Sequence, residues 1–413
     1  MAQMKHAVFD ARIDAKLPDL KGDIDISAIG LLADIRLSLH FDLLEVESDW
    51  RDFEKEADCT AFQNFDWLSI WYRHIGTRER VKPAIVVGRH NGSIIFILPL
   101  AFTARTGLRR VAWLGGSLCN YNAPLLARGF SKIVRPAQFV RLWGEIQQLL
   151  RSNLRHDLID LEKIPATVGA QANPMLALQV TPHANDSYVT HLTGNWDEFY
   201  QSKRSSSWRK TDAKKRRRLA KYGDIQFATA VDRADIERTI DALIEEKKSS
   251  YASLGVANMF EWPGYRDFFL DVASDPRRHS LVHVSSIKVG STIVAASFGL
   301  TMHGTYDYLL AGYTNGEMEV CSPGSIHLQE LMRYFTERGF KIFDFNIGDE
   351  PYKHEWCDAE VKLYDQLSPA TLLGLLAATA IRAVRRLKRS LKRSRFIWPV
   401  IRRARSIFGS LAS

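Results

Sequence analysis

One order of elements occurs twice in this chain. The first copy begins with PAIVVGRHNGSIIFILPLAF at residues 83–102. Two apolar runs are joined there by Asn91-Gly92, a pair suited to the positive φ angles of a two-residue hairpin turn. Arg110 to Leu114 reads as a third strand, Pro136 to Leu150 carries apolar residues at helical spacing, and Asp157 to Leu161 reads as a further strand. The second copy begins with SLVHVSSIKVGSTIVAASFGL at 280–300, turning near Val289-Gly290. TYDYLLAGY is its next strand, Ser322 to Arg338 its helix and FKIFDFNIG its closing strand. The copies share element order but no residue-level identity. A supersecondary unit used twice predicts an α/β fold of two similar lobes with mixed sheets.

The rest of the chain is arranged around these units. Residues 1–35 are mixed in charge and weakly periodic, as in a loosely ordered arm. Order is expected from Arg36, where RLSLHFDLLEV alternates like a strand. Ser48 to Ala57 and Asn64 to Ile75 read as short helices, the second burying Phe65, Leu68 and Trp71. These features predict a first lobe over 36–190, a basic helical linker over 191–224 and a second lobe over 225–369. Residues 370–413 form a basic amphipathic tail. Between Lys203 and Lys221 the linker carries ten basic residues and one Asp, and Gly223 is placed to end its helix.

The chain has 413 residues, 46% hydrophobic and 25% charged, enough for two domain cores. Its formal net charge of +9 is local in origin. Eleven of the 56 Lys and Arg residues lie in 370–413, where there is no Asp or Glu, and the remainder has 45 basic residues against 47 acidic. The body of the protein therefore gives no reason to expect nucleic acid. Cys59, Cys119, Cys321 and Cys357 lack metal-ligand or disulfide-framework spacing, and no metal is expected. MAQMKHAVFDARIDAKLPDL has no apolar core of the secretory kind. The longest apolar run, Leu372 to Ile381, is about half the ~20 residues that span a bilayer. A cytoplasmic protein is expected.

The densest chemistry lies between Ser322 and Trp356. Ser322 stands where its hydroxyl can cap a helix, Pro323 suits the first turn, and Gly324 permits close approach to the backbone. Such a helix start has free N–H groups and the positive end of the helix dipole, which suit a phosphate. A plain capped helix would look the same. After the next strand, Asp349, Glu350, Tyr352, Lys353, His354 and Glu355 fall within seven residues. Loops at strand ends are where rigid scaffolds carry functional groups, although a solvated charged turn shares this composition. Within the strand, Phe343, Phe345 and Ile347 fall on one face, and Asp344 and Asn346 on the other.

The string SPG…RYFTERGFKIFDFNIGDEPYKHEW resembles the signature of the CelD-like GNAT acyltransferases, also described as cellulose-biosynthesis acetyltransferases. These are relatives of the FemAB aminoacyltransferases, which carry two GNAT lobes. AFQNFDWLSIWYRHIG is similar to the family's early helix, NYNAPLL to its aspartate-tyrosine-x-x-proline-leucine stretch, and DLIDLEKIP to its strand ending in valine-proline. SSSWRKTDAKKRRRLAKYGDIQF is similar to its basic linking helix. The resemblance runs from Phe41 to Leu367. Asn120 stands in place of the family's aspartate, and Ile164-Pro165 in place of valine-proline.

The resemblance implies direct attack of an amine or hydroxyl on the thioester of acyl-CoA or acetyl-CoA. It needs a base for the incoming ammonium, N–H donors for the oxyanion and an acid for the leaving thiolate. On this chain it places the pyrophosphate at Ser322, Gly324 and Ser325. Asp349 or Glu350 is then the base, Tyr352 the acid, Lys353 a contact for an anionic group, and Asp344 a substrate or loop contact. The implied acceptor is an envelope or exopolysaccharide precursor or a related metabolite. Two alternatives share the fold: a FemAB-like transferase using aminoacyl-tRNA, and a non-catalytic double-GNAT module in a polysaccharide synthase complex.

The basic linker fits a solvated face or lobe contact, a clamp for an anionic substrate, or an RNA site. It lacks the interleaved aromatics of single-strand binders apart from Trp208. The tail places Val384, Leu387 and Leu391 on one stripe among arginines, with Phe396, Ile397 and Trp398 before Pro399. Such a pattern predicts peripheral association with an anionic membrane surface, on the inner face of the cytoplasmic membrane.

Overall fold

The computed structural model describes residues 24–27, 34–254 and 257–393. The first half runs β1 (Ile24–Ser27), β2 (Ile35–His40), α1 (Glu47–Glu54), α2 (Phe65–Trp71), β3 (Lys82–His90), β4 (Ser93–Arg105), β5 (Leu108–Trp113) and β6 (Leu125–Leu126). It continues with α3 (Phe130–Ile133), α4 (Pro136–Asn153), β7 (Leu158–Pro165), β8 (Thr167–Val168), β9 (Gln171–Ala172), β10 (Val180–Pro182) and β11 (Ser187–His191). The connecting helices are α5 (Trp196–Lys203) and α6 (Ser206–Leu219). The second half runs β12 (Ile225–Thr229), α7 (Arg233–Leu254), α8 (Tyr265–Ser274), β13 (Val282–Val289), β14 (Thr292–Met302), β15 (Thr305–Tyr313) and α9 (Pro323–Glu337). It closes with β16 (Ile342–Ile347), α10 (Pro351–His354), β17 (Ala359–Val361), β18 (Leu363–Pro369) and α11 (Leu372–Arg393).

The predicted repeat is present as two mixed sheets. In the first, β3, β4 and β5 form an antiparallel meander, and α4 crosses over to bring β7 parallel to β5. In the second, β13, β14 and β15 form the meander, and α9 brings β16 parallel to β15. Asn91 (φ 50°) and Gly92 (φ 82°) make the tight turn their sequence predicts, and Thr106 (φ 49°) with Gly107 (φ 78°) between β4 and β5 has its counterpart in His303 (φ 48°) with Gly304 (φ 76°) between β14 and β15.

Two strands cross between the halves. The first sheet has the order β1-β2-β3-β4-β5-β7-β18-β10 with β6 on β4, and the second has β12-β13-β14-β15-β16-β11-β17. The sheets therefore do not divide at the expected boundaries 36–190 and 225–369. β11 joins the second sheet beside β16, and β18 returns to the first beside β7. Each exchanged strand covers an edge that the other half's sheet leaves open, and the exchange binds the lobes together. They also share a core, in which Trp67 of α2 meets Phe268 of α8 edge-on at 4.8 Å, and Trp67 and Phe269 both adjoin Phe298.

Three local expectations change. Ile24–Ser27, within the expected loose arm, pairs with β2, while most of that arm lies outside the described residues. The basic linker is two helices, not one, because Ser205 caps α6 by accepting from the Trp208 N–H, and Arg204 turns into the interior. α6 ends at Leu219, capped by Ala220, so Gly223 (φ 149°) lies in the turn beyond the helix and does not cap it. Residues 394–413, with Phe396, Ile397, Trp398 and Pro399, lie outside the described residues.

Candidate active site

β15 and β16 pair only through Thr305↔Ile342, Tyr306↔Phe343 and Asp307↔Asp344. β15 then continues to Tyr313 and β16 to Ile347 with no further pairing between them. The strands part at their carboxyl ends, the side on which α/β folds place ligands. α9 begins beside this gap, so closely that a Cβ on Gly324 would lie 2.7 Å from Tyr313 Cδ1. Ser322 precedes the helix with φ 51° and ψ 59° and makes no side-chain cap, contrary to expectation. The left-handed backbone carries its hydroxyl away from the first turn, and its carbonyl accepts instead from the Ser325 (3.0 Å) and Ile326 (3.3 Å) N–H groups.

At the point of parting, the face carrying Asp344 turns toward the first lobe. Asp344 is buried, as predicted for neither a solvated turn nor an open strand face. Its carboxylate accepts from Tyr121 Oη at 2.6 Å, Ser187 Oγ at 3.2 Å and the Asn346 N–H at 2.7 Å. Burial raises its pKa to about 6, against the opposing pull of these three donors and of Lys353. Asp307, its partner in the strand register, is also buried. Burial and the Asp344 charge hold the Asp307 carboxyl well above the usual range. The opposite face packs Phe343 on Phe345 at 4.9 Å over a core with Tyr306 and Trp356. Asn346 has φ 60°, and its side-chain Oδ1 and Nδ2 are buried without a hydrogen-bond partner among the described residues. Buried polar groups without a partner are rare in folded proteins and call for an explanation.

The acidic loop folds over the end of β16. Asp349 is largely exposed, takes a 2.6 Å contact from His354 Nε2 and accepts from Tyr188 Oη at 3.3 Å. Glu350 pairs with Lys353 at 2.9 Å. Lys353 is only 3% exposed and donates to the Asn346 (3.0 Å) and Ile347 (3.2 Å) carbonyls, so it ties the loop back to the strand. Tyr352 is partly open, yet burial, with Tyr308 and Glu350 nearby, pushes its phenol well above its ordinary pKa.

Other groups at this site had no distinct sequence signal. Glu246 and Lys247 sit on α7 in a run, EEKK, that reads as a solvated helix face. Glu246 instead packs against β15, where a Cβ on Gly312 would lie 2.7 Å from its Oε2. That oxygen is buried without a partner, and burial raises the carboxyl to about 8. Its charge reaches Tyr308, whose phenol is raised by burial and by Glu246. Burial lowers the Lys247 ammonium, which lies within reach of Glu350 and Lys353. Tyr121 could have been found, since it stands in the NYNAPLL stretch. Ser187 carried no signal, because its partner Asp344 is 157 residues away, and Asp307 carried none because nothing local tells that it faces Asp344 across the parallel register.

The basic linker contributes a brace. Arg204 is buried beside Trp208 (5.0 Å) and Trp356 (4.7 Å), and it pairs with Asp212 and Glu355. Arg216 pairs with Glu330 of α9. Lys210, Lys214, Arg217 and Arg218 face solvent. Cavities of about 450 Å³ between α2 and Arg277–Arg278, and of about 600 Å³ between α5 and α9, include none of the site residues named here. Among the described residues no group of three His, Cys, Asp or Glu is placed to hold a metal ion, and no helix is long and apolar enough to cross a membrane. His283 is buried against Tyr334 and Phe335, as expected of a structural histidine.

Residues 206–354 match the family described as acetyltransferase (GNAT) domain. This span holds α7, the parted strands, α9 and the start of the acidic loop. No curated protein sequence matches the chain. Among solved structures, FemX superposes with a TM-score of 0.55 at 11% identity, over 79% of this chain and 96% of that one. A conserved protein of unknown function from Bacteroides thetaiotaomicron VPI-5482 superposes with a TM-score of 0.51 at 11% identity, over 79% of this chain and 98% of that one. At such identity the likeness is one of fold, and it extends across both lobes. Residues 206–354 form a GNAT acetyltransferase domain, and acyl transfer is the activity this domain gives the chain.

Proposed function

We propose that the chain transfers an acyl group from acyl-CoA, acetyl-CoA in the simplest case, to an amine or hydroxyl of an envelope or exopolysaccharide precursor. The observation that carries this reading is the parting of β15 and β16 after Asp307 and Asp344, with α9 starting at the gap. The residues fit such a ligand: Gly324 lets the start of α9 pack close to Tyr313 at the end of β15, and Asn346 offers an unpaired buried carboxamide. Ser322, Gly324 and Ser325 would hold the pyrophosphate at the start of α9. The thioester, when bound, supplies the activated carbonyl.

Three carboxylates compete for the role of base. Glu350 is engaged by Lys353 and Asp349 by His354, whereas Glu246 has an unpartnered oxygen and a pKa of about 8. A base matched to neutral pH is the most effective, so Glu246 is assigned the proton of the incoming ammonium, with Asp349 and Glu350 as the other candidates. Tyr352, held neutral, serves as the acid for the leaving thiolate. Lys353 fixes the loop carrying Tyr352, and Asp344 positions that loop from beneath. The test is a screen for free-thiol release over acyl-CoA donors and amine or hydroxyl acceptors. Turnover that requires both substrates, with sugar acceptors ahead of simple amines, is expected. No release from any donor, together with no thermal stabilisation by acyl-CoA, sinks the proposal. Turnover of simple amines alone removes the envelope acceptor.

A further inference from the structure

α11 is attached to the protein by a side of small residues and arginines, with Ala377, Ala378 and Ile381 against Leu158 and Leu367. Gly374 meets the sheet so closely that a Cβ there would lie 1.7 Å from the Asp157 carbonyl oxygen, and Ala378 is fully buried. Arg382 donates to the Leu367 carbonyl at 3.2 Å. Arg385 donates to Asp160 at 2.8 Å and also pairs with Glu162 and Asp365. Thr371 caps the helix start and donates to Asp157 at 3.0 Å. These contacts fix the rotation of the helix. The side left outward is apolar: Leu372 is 82% exposed, Leu376 70%, and Leu373, Val384 and Leu387 lie on the same open side. Arg386 and Lys388 flank this stripe in solvent.

We infer that the outward face of α11 is a docking surface for an anionic lipid bilayer, with the helix lying in the interfacial plane. An apolar strip of this length in water is unusual for a surface helix, which normally turns its apolar side to the core. The flanking charge selects the occupant. Residues 370–413 carry eleven Lys and Arg and no acid, so a second copy laid on this face would bring like charges together. An anionic headgroup layer neutralises them while the leucines enter the acyl boundary. The inference is independent of the acyl-transfer reading.

The test is flotation of the full chain with vesicles of zwitterionic lipid alone or mixed with phosphatidylglycerol. Binding to the anionic vesicles is expected. It should weaken at least tenfold in L376E/L387E and severalfold in R386Q/K388Q, with thermal melting unchanged in both. Equal binding by L376E/L387E overturns the inference, since the basic residues of 394–413 would then suffice. Equal binding of both vesicle types overturns it as well. So does a dimer in sedimentation velocity without vesicles that L376E/L387E dissociates, because a second copy would then cover the face. The R386Q/K388Q variant keeps the test decisive if the glutamates disturb the helix.

Discussion

Tyr121 of the first lobe donates its phenolic hydrogen to Asp344 of the second across 2.6 Å, beneath the point where β15 and β16 part. This bond joins the NYNAPLL stretch to the acidic-loop strand. Burial has already moved Asp344 up to about 6, and Tyr121 opposes that shift. A carboxyl raised in the folded state contributes stability that is full below its unfolded pKa and is lost as pH rises through its folded pKa. Folding should therefore weaken between about pH 4 and pH 6, by up to roughly 3 kcal/mol from this group. Tyr121→Phe should raise the upper end of that window and cost roughly 1–3 kcal/mol at neutral pH. Urea unfolding from pH 4 to pH 8 reads both. A pH-independent difference between the two proteins would refute the coupling.

The two buried carboxyls should respond unequally to the same substitution. Asp307 is held protonated far above the usual range, so Asp307→Asn replaces a neutral group with a near-isostere. Its cost should stay within about 1 kcal/mol. Asp344 accepts from three donors, and Asp344→Asn sets an amide against them. Its cost should be about 2–3 kcal/mol at pH 7, since hydrogen bonds to charged groups are the strong ones. Equal costs in chemical denaturation would reverse the assignment of the proton.

The fold was largely legible because its signals are local. Hairpin dipeptides, alternating strands and the helix over Ser322–Arg338 all act over a few residues, and their repetition exposed the two lobes. What was not legible depends on distance in sequence. The exchange of β11 and β18 cannot be read from either strand, since each resembles any short alternating segment. Glu246 carried no signal, because polarity at its position in a helix says nothing about which neighbour covers it. Ser322 looked like a cap because the residue type is right, and only its backbone conformation shows otherwise. The acidic loop was visible by composition, but the burial of Lys353 beneath it was not.

Glu246 gives the activity its pH signature. As a base it must be deprotonated, and its carboxyl is raised to about 8 by burial. The rate of acyl transfer at saturating donor should rise with pH and level off above about 8. Glu246→Gln should lower kcat by roughly 10²–10⁴-fold and remove that limb. Asp349→Asn should leave the limb in place. The opposite result, a limb lost with Asp349→Asn and kept with Glu246→Gln, would move the base to the loop.

Arg204 should tolerate no substitute. Its planar group lies between Trp208 and Trp356 while bonding Asp212, and lysine cannot reproduce both contacts. Arg204→Ala leaves the buried Asp212 carboxylate with the Tyr200 hydroxyl at 2.8 Å but without its cation, a loss expected to cost about 3–5 kcal/mol. Arg204→Lys should lie between the alanine variant and the native protein. Melting curves of the three, with Lys210→Ala of the solvent face as a neutral control, test the brace. A basic linker that served only as a solvated face would give four similar curves.

Gly374→Ala sets two effects against each other. Alanine favours an exposed helix over glycine by about 1 kcal/mol, so a free α11 would gain. The added Cβ would fall 1.7 Å from the Asp157 carbonyl oxygen, a backbone atom that cannot yield without moving β7. Overpacking of that kind typically costs 1–3 kcal/mol or more, so the clash should win and α11 should lift from the sheet. Lifting would break the pairing of Arg385 with Asp160 and Asp365, which are each about 1% exposed. Asp160 would keep Arg110 at 3.1 Å and Asp365 its His183 contact at 2.7 Å, but each would lose one buried cation, and the penalty should exceed the clash alone. Gly374→Ala should therefore lower the melting temperature and speed proteolysis between Ala370 and Arg393. A stabilised protein with unchanged proteolysis would mean that α11 does not rest on Asp157.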